Sequence, residues 1–153
     1  MSTPKVIPGV TAIPKMIPGT TFVDDRGIMI FNNDVPLDGT KRSYIITGDK
    51  GMIRAWHGHK LETKIIQCVS GRVRICTINM QLNPTDERNT YYLIPNGNTL
   101  VIPSGYYNGI QFLSDNSSII VYSNTTLEGS KNDDYRLEWD KFGKQFFDMA
   151  AYR

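Results

Sequence analysis

The chain has 153 residues, 40% of them hydrophobic and 21% charged, with a formal net charge of +2. That length suits one domain with a sizeable core, and a single domain over residues 1–153 is expected. So small a charge, without any basic run, argues against a nucleic-acid partner. No stretch approaches the roughly 18 apolar residues that a membrane span requires.

The opening MSTPKVIPG lacks the charged and apolar blocks of a secretory signal, so a cytoplasmic location is expected. Pro4, Pro8, Pro14 and Pro18 fall in the first twenty residues. Proline removes ladder donors, so residues 1–20 read as an edge strand or extended arm. DDRG at 24–27 is a turn signal, followed by short strands at 28–31 and 42–47 and a turn at 48–51. The central stretch MIRAWHGHKLETKIIQCVSG, residues 52–71, holds both histidines of the chain, His57 and His59. It reads as a strand, a loop at 60–62 and a second strand at 64–69. A turn at Ser70 and Gly71 leads into a strand at 72–80. Cys68 and Cys76 flank that turn and read as small buried hydrophobes in a reducing compartment.

Residues 81–89 carry Pro84 and are expected as a loop. Strands follow at 91–94, 100–102, 107–113 and 118–124, separated by the turn pairs Asn96-Gly97 and Ser104-Gly105 and by residues 114–117. No helical period appears before residue 125. Turn signals every 8–12 residues predict an all-β sandwich or small jelly-roll barrel. The tail from Leu137 spaces Phe142, Phe146 and Met149 for one short C-terminal helix.

On a strand, residues i and i+2 face the same way. His57 and His59 then stand side by side, with Ile53 and Ala55 in the same row. Histidine titrates nearest neutrality and is the default general base. A base in a barrel mouth suits removal of a proton beside a carbonyl, with a cation or donor to hold the enolate oxygen. Lys64 and His59 are candidates for that role. Tyr122 is the candidate acid for returning the proton. Arg26 and Arg54 offer guanidinium forks to phosphates, and Tyr44 offers an aromatic face to a base or sugar.

The spacing Gly51-x5-His57-x-His59 resembles the first motif of the cupin jelly rolls, and Gly97-x5-Pro103-x-Gly105-x2-Asn108 resembles the second. Metal-binding cupins use two histidines and a glutamate from the first motif and a histidine from the second. Here Asn108 stands at that last position, and Glu62 follows His59 one residue too early. A metal-free pocket with no cofactor is therefore expected over a two-histidine, one-carboxylate site.

DDRG, IRAWHGHK, the run from Lys64 to Gly71, IPSGYYNG and VYSNT together resemble the RmlC-like cupins that act on nucleotide-linked 4-keto sugars. That group includes dTDP-4-dehydrorhamnose 3,5-epimerases and dTDP-sugar 3,4-ketoisomerases. The epimerase resemblance implies that His57 is the base, Lys64 steadies the enolate and Tyr122 donates from the opposite face. It also implies that Arg26 and Arg54 hold the substrate. The ketoisomerase resemblance rests on Lys41, Arg42, Tyr44, Arg54, His57, His59 and Lys60, and on the segment from Asp134 to Phe142. The epimerases' C-terminal aspartate, which orients the catalytic histidine, has no counterpart here. His59 or Glu62 is left to orient His57. The expected function is epimerisation of a nucleotide-linked 4-keto-6-deoxy sugar for surface polysaccharide. The alternatives are a 3,4-ketoisomerase and, more distantly, a non-catalytic sugar-binding cupin. The resemblance and the proline-rich arm point to a homodimer.

Overall fold

A computed structural model describes residues 13–81 and 88–148. Two five-stranded antiparallel sheets face each other in a jelly-roll arrangement. The first contains β1 (Lys15–Ile17), β4 (Arg42–Gly48), β6 (Lys64–Ser70), β9 (Thr99–Ile102) and β11 (Ser117–Ser123), in the order β1-β9-β6-β11-β4. The second contains β5 (Ile53–His59), β7 (Val73–Asn79), β8 (Arg88–Leu93), β10 (Tyr106–Phe112) and β12 (Tyr135–Arg136), in the order β12-β5-β10-β7-β8. Among the described residues the hairpin of β2 (Thr20–Asp24) and β3 (Gly27–Phe31) pairs only with itself. The all-β jelly roll expected from the turn spacing is therefore present. No helix among the described residues is long and apolar enough to cross a membrane.

Alternation along the strands builds the core. On β11, Ile119 and Val121 are buried while Ile120 and Tyr122 are less so. Val121 pairs with Ile66 on one side and Tyr44 on the other. Ile66, Ile75, Leu100, Phe112 and Ile119 meet between the sheets, each contributing about 1.5–3 kcal/mol by leaving water. A second cluster packs Trp56, Cys76 and Ile78 beneath Phe146 and Phe147. Trp56 also donates its Nε1–H to the Trp139 carbonyl at 3.0 Å. The apolar residues of the tail thus cover the outer face of the second sheet.

Several boundaries differ from expectation. Residues 20–24, with Thr20 read as the end of the arm and Asp24 as the start of a turn, form β2. Within the arm, β1 is an edge strand on β9, and residues 1–12 lie outside the described residues. The strand expected at 91–94 begins at Arg88, and most of the loop expected before it, residues 82–87, lies outside the described residues. The tail supplies a 3-10 helix at Lys144–Phe147, and Met149 lies outside the described residues. The one α-helix among the described residues, α1 (Leu127–Lys131), comes earlier. Thr126 caps it by accepting from the Gly129 N–H at 3.0 Å, the bond expected of a threonine N-cap. The short polar run there carries no apolar periodicity, so only its cap betrays it. Cys68 and Cys76 are buried and unpaired, as the sequence suggested.

Candidate active site

The two histidines reach the barrel mouth through an irregularity in β5. Asn108 of β10 lies opposite His57, and Ile110 lies opposite Arg54. Three steps along β5 thus match two along β10, which is the geometry of a β-bulge. The extra residue rotates the row. Arg54 joins His57 and His59 at the pocket, while Ala55 and Ile53 pack in the outer cluster with Trp56. The expected row of Ile53 and Ala55 beside the histidines is corrected accordingly, because strict alternation holds only where the ladder is regular.

The pocket is a cavity of about 270 Å³ between the two sheets. His57, His59 and Arg54 form one wall, with Asn108 and Ile110 beside them. Tyr44, Ile46 and Lys64 come from the facing sheet. Leu127, Ser130, Lys131, Asp134 and Arg136 close the mouth from the segment after β11. Six of the eight site residues expected from sequence therefore meet here: His57, His59, Lys64, Arg54, Tyr44 and Asn108. Asn108 also braces the wall by donating its Nδ2–H to the His57 carbonyl at 3.1 Å.

Two expected residues do not join them. Tyr122 sits on β11 between Val121 and Ser123, whose side chains are buried, and so faces the outer side of the sheet. Its strand is apolar on both faces, which hides the alternation from a sequence reading. Arg26 stands at the tip of the β2–β3 hairpin. It is exposed and paired with the Asp24 carboxylate.

His59 is held through one of its ring nitrogens. Its Nδ1 lies 2.7 Å from the Asp133 carbonyl oxygen and 3.2 Å from Glu62 Oε2. Both partners only accept, so Nδ1 carries the hydrogen. Nε2 is then a bare lone pair. It is buried and has no partner among the described residues. Glu62, one of the two residues left to orient His57, faces His59 instead.

Glu62 is 2% exposed. Its carboxylate accepts from Thr125 Oγ1 at 3.0 Å and Ser123 Oγ at 2.5 Å, and from the Arg42 guanidinium at 3.2 Å. Burial works against its charge, but Lys64, His59 and these hydroxyls prevail and hold its pKa below the usual value. Burial pulls the Lys64 ammonium down, with Glu62 opposing. Burial likewise lowers His59, and Lys64 adds to it. His57 is lowered to about 4, first by burial and then by Lys64 and Arg136. Burial and the Glu62 charge push Tyr44 up to about 12. The site at neutral pH thus holds two uncharged imidazoles beside a buried carboxylate.

The pH dependence follows. The folded pKa of His57, about 4, lies below its ordinary 6.5, so protonation favours the unfolded chain. Its stabilising contribution is complete above pH 6.5 and is lost as the pH falls toward 4. Urea midpoints measured between pH 7.5 and pH 4 are expected to drop through that window. A midpoint that is flat to pH 4 would contradict a buried neutral His57.

Among the described residues no three His, Cys, Asp or Glu side chains gather as a metal-ligand set. Glu62, the remaining candidate for such a set, is engaged with His59 and the hydroxyls around it.

The fold matches the RmlC epimerase of Mycobacterium tuberculosis with a TM-score of 0.72 at 20% identity, over 92% of this chain and 74% of that one. It matches QdtA, a sugar 3,4-ketoisomerase from Thermoanaerobacterium thermosaccharolyticum in complex with TDP, with a TM-score of 0.68 at 21% identity, over 89% and 96%. It matches dTDP-4-dehydrorhamnose 3,5-epimerase from Bacillus anthracis, with TDP and pyrophosphate bound, with a TM-score of 0.70 at 21% identity, over 83% and 79%. These likenesses establish the RmlC-like cupin fold. No curated protein sequence matches the chain. The family model described as "FdtA: WxcM-like, C-terminal" matches residues 13–146, nearly the whole of the jelly roll and its tail, and the chain belongs to that family.

Proposed function

We propose that the protein is a 3,4-ketoisomerase of a nucleotide-linked 4-keto-6-deoxy sugar, of the dTDP type. The observation that carries this reading is the pair of neutral imidazoles on one wall, with no tyrosine hydroxyl from β11 to serve an opposite face. Moving a carbonyl from carbon 4 to carbon 3 needs two proton transfers between neighbouring atoms. One proton leaves carbon 3 and arrives at carbon 4. Another leaves the oxygen on carbon 3 and arrives at the oxygen on carbon 4. Two adjacent uncharged proton carriers suit this better than one base and one distant acid.

His59, held in one tautomer with Nε2 free, takes the proton from carbon 3 and returns it to carbon 4. Glu62 stabilises the imidazolium that forms between those steps, as a buried carboxylate does for a catalytic histidine. His57 relays the proton between the two oxygens, and Lys64 steadies the enediolate. Arg54, Lys131 and Arg136 at the mouth are cations suited to a diphosphate. Ile46, Ile110 and Leu127 supply an apolar surface for a deoxy carbon.

The second reading is epimerisation, in which Tyr44 returns the proton. Its support is that Tyr44 stands on the sheet facing the histidines. Incubating the protein with dTDP-4-keto-6-deoxyglucose separates the two by whether the carbonyl moves or a carbon inverts.

We also propose a homodimer. Phe22, Val23, Ile28 and Met29 are each more than half exposed on the β2–β3 hairpin. An isolated two-stranded hairpin is marginal in water, and this apolar surface is suited to a second copy. Arg26, at its tip, then serves the neighbouring copy rather than its own pocket. Light scattering is expected to give twice the 17.3 kDa chain mass, and Val23→Glu with Ile28→Lys is expected to give the monomer. A monomeric wild-type protein would contradict this assembly.

A further inference from the structure

The ketoisomerase reading leaves Asp133 without a part, yet it touches both members of the His59–Glu62 pair. It is 2% exposed. Its Oδ1 accepts the Lys60 N–H at 2.8 Å. Its Oδ2 accepts the N–H groups of Leu61 and Glu62 at 2.8 and 2.9 Å. Three consecutive backbone donors thus converge on one carboxylate, and they belong to the loop that presents Glu62. The carbonyl oxygen of the same residue takes the Nδ1–H of His59 at 2.7 Å, nearer than the carboxylate of Glu62 at 3.2 Å.

Its place in the chain adds a third connection. Asp133 lies two residues beyond α1, whose Ser130 hydroxyl reaches Glu62 Oε2 at 3.4 Å. It lies two residues before Tyr135, where β12 begins. In that strand Arg136 pairs with His57. A single buried residue therefore ties together the loop carrying the carboxylate, the imidazole, and the segment that closes the mouth.

We infer that Asp133 is the positioning residue of this site: its backbone carbonyl selects the Nδ1–H tautomer of His59, and its carboxylate fixes the 60–62 loop so that Glu62 and that carbonyl meet the same imidazole edge. The division of labour is specific. Asp133 sets which nitrogen is bare, and Glu62 stabilises the charge when that nitrogen takes a proton. This rests on His59 being the base, but the tautomer is measurable without substrate.

The test uses imidazole 15N NMR on the full chain. The chain has two histidines, so a His57→Asn variant assigns the spectrum. In the wild-type protein His59 is expected to show a protonated Nδ1 and a bare Nε2. In Asp133→Asn, of nearly equal volume, the amide cannot accept all three N–H groups through two oxygens. The expected result is a mixed or Nε2–H tautomer, with kcat at least about tenfold lower and KM within about twofold, the split expected when positioning rather than binding is lost. An unchanged tautomer in a folded Asp133→Asn protein would overturn the inference, whatever happens to turnover. Should that variant not fold, Glu62→Gln decides. With the Asp133 carbonyl still in place, His59 is expected to keep its Nδ1–H form. A switch to Nε2–H would assign the tautomer to Glu62 and overturn the inference. A tautomer lost in Asp133→Asn, together with no detectable turnover on 4-keto sugars by the wild-type protein, would instead sink the ketoisomerase reading while leaving Asp133 as the device that fixes His59.

Discussion

Replacing His59 with asparagine is expected to lower kcat on the order of a thousandfold, the usual range for removing a positioned general base. The fold should survive, because His59 contributes its ring to the pocket rather than to either hydrophobic cluster. The pattern of residual chemistry is more informative than the rate. His59→Asn should abolish removal of the carbon 3 proton altogether. His57→Asn should leave that proton exchangeable but stop the carbonyl from moving, since the relay between the oxygens is gone. The opposite pattern would exchange the two roles. Tyr122→Phe is the control: an outward-facing hydroxyl on the far side of β11 should alter turnover and stability by no more than about twofold, as for most surface changes. A large loss there would restore Tyr122 to the site.

Glu62→Gln is expected to act on activity and stability together. Glutamine keeps an oxygen for the hydroxyls of Ser123 and Thr125 but carries no charge. The imidazolium of His59 then forms against Lys64 without the Glu62 charge to offset it, so kcat should fall about a hundredfold, within the range for general-base effects. Removing one partner of a buried ionic network typically costs about 3–5 kcal/mol. A stability loss on the order of 3 kcal/mol is expected from urea denaturation. Activity lost with stability unchanged would mean that the network around Glu62 serves catalysis alone. Stability lost with activity unchanged would remove Glu62 from the mechanism.

The fold was legible because turn residues punctuate this sequence so regularly. Paired turn signals such as Ser70-Gly71 and Asn96-Gly97 sit where the chain reverses. Gly71 has φ +72 and no room for a side chain beside Ser117, so the reversal there requires glycine. The H-x-H pair located the pocket for the same reason that β-strands alternate. The errors arose where alternation gives no guidance. The bulge in β5 put Arg54 in the histidine row and took Ala55 out of it. The doubly apolar β11 concealed which way Tyr122 points. Lys131, Asp133 and Arg136 come from a polar stretch with no periodicity, 70 residues and more beyond the histidines they meet. Only the likeness of residues 134–142 to the ketoisomerases marked that stretch, and it carried no geometry. Glu62 was legible as a carboxylate near the histidines, but its partner was not. Which imidazole it meets depends on the loop conformation that Asp133 holds.

The preference for the ketoisomerase over the epimerase is a proposal that rests on where the barrel places four residues. Lys64 and Tyr122 spoke for the epimerase, and His59 and Tyr44 for the isomerase. The barrel keeps Lys64, His59 and Tyr44 together and turns Tyr122 away. What remains is a pair of uncharged imidazoles on one wall, facing a tyrosine whose proton is tightly held.

The most direct measurement of this account is the proton NMR spectrum of dTDP-4-keto-6-deoxyglucose incubated with the purified protein in deuterated water. The expected product has its carbonyl at carbon 3, with carbon 4 carrying the new hydrogen and carbon 5 unchanged. A product that keeps its carbonyl at carbon 4 with carbon 3 or carbon 5 inverted would contradict it in favour of the epimerase. A spectrum that never changes would contradict catalysis on this sugar and leave a binding cupin.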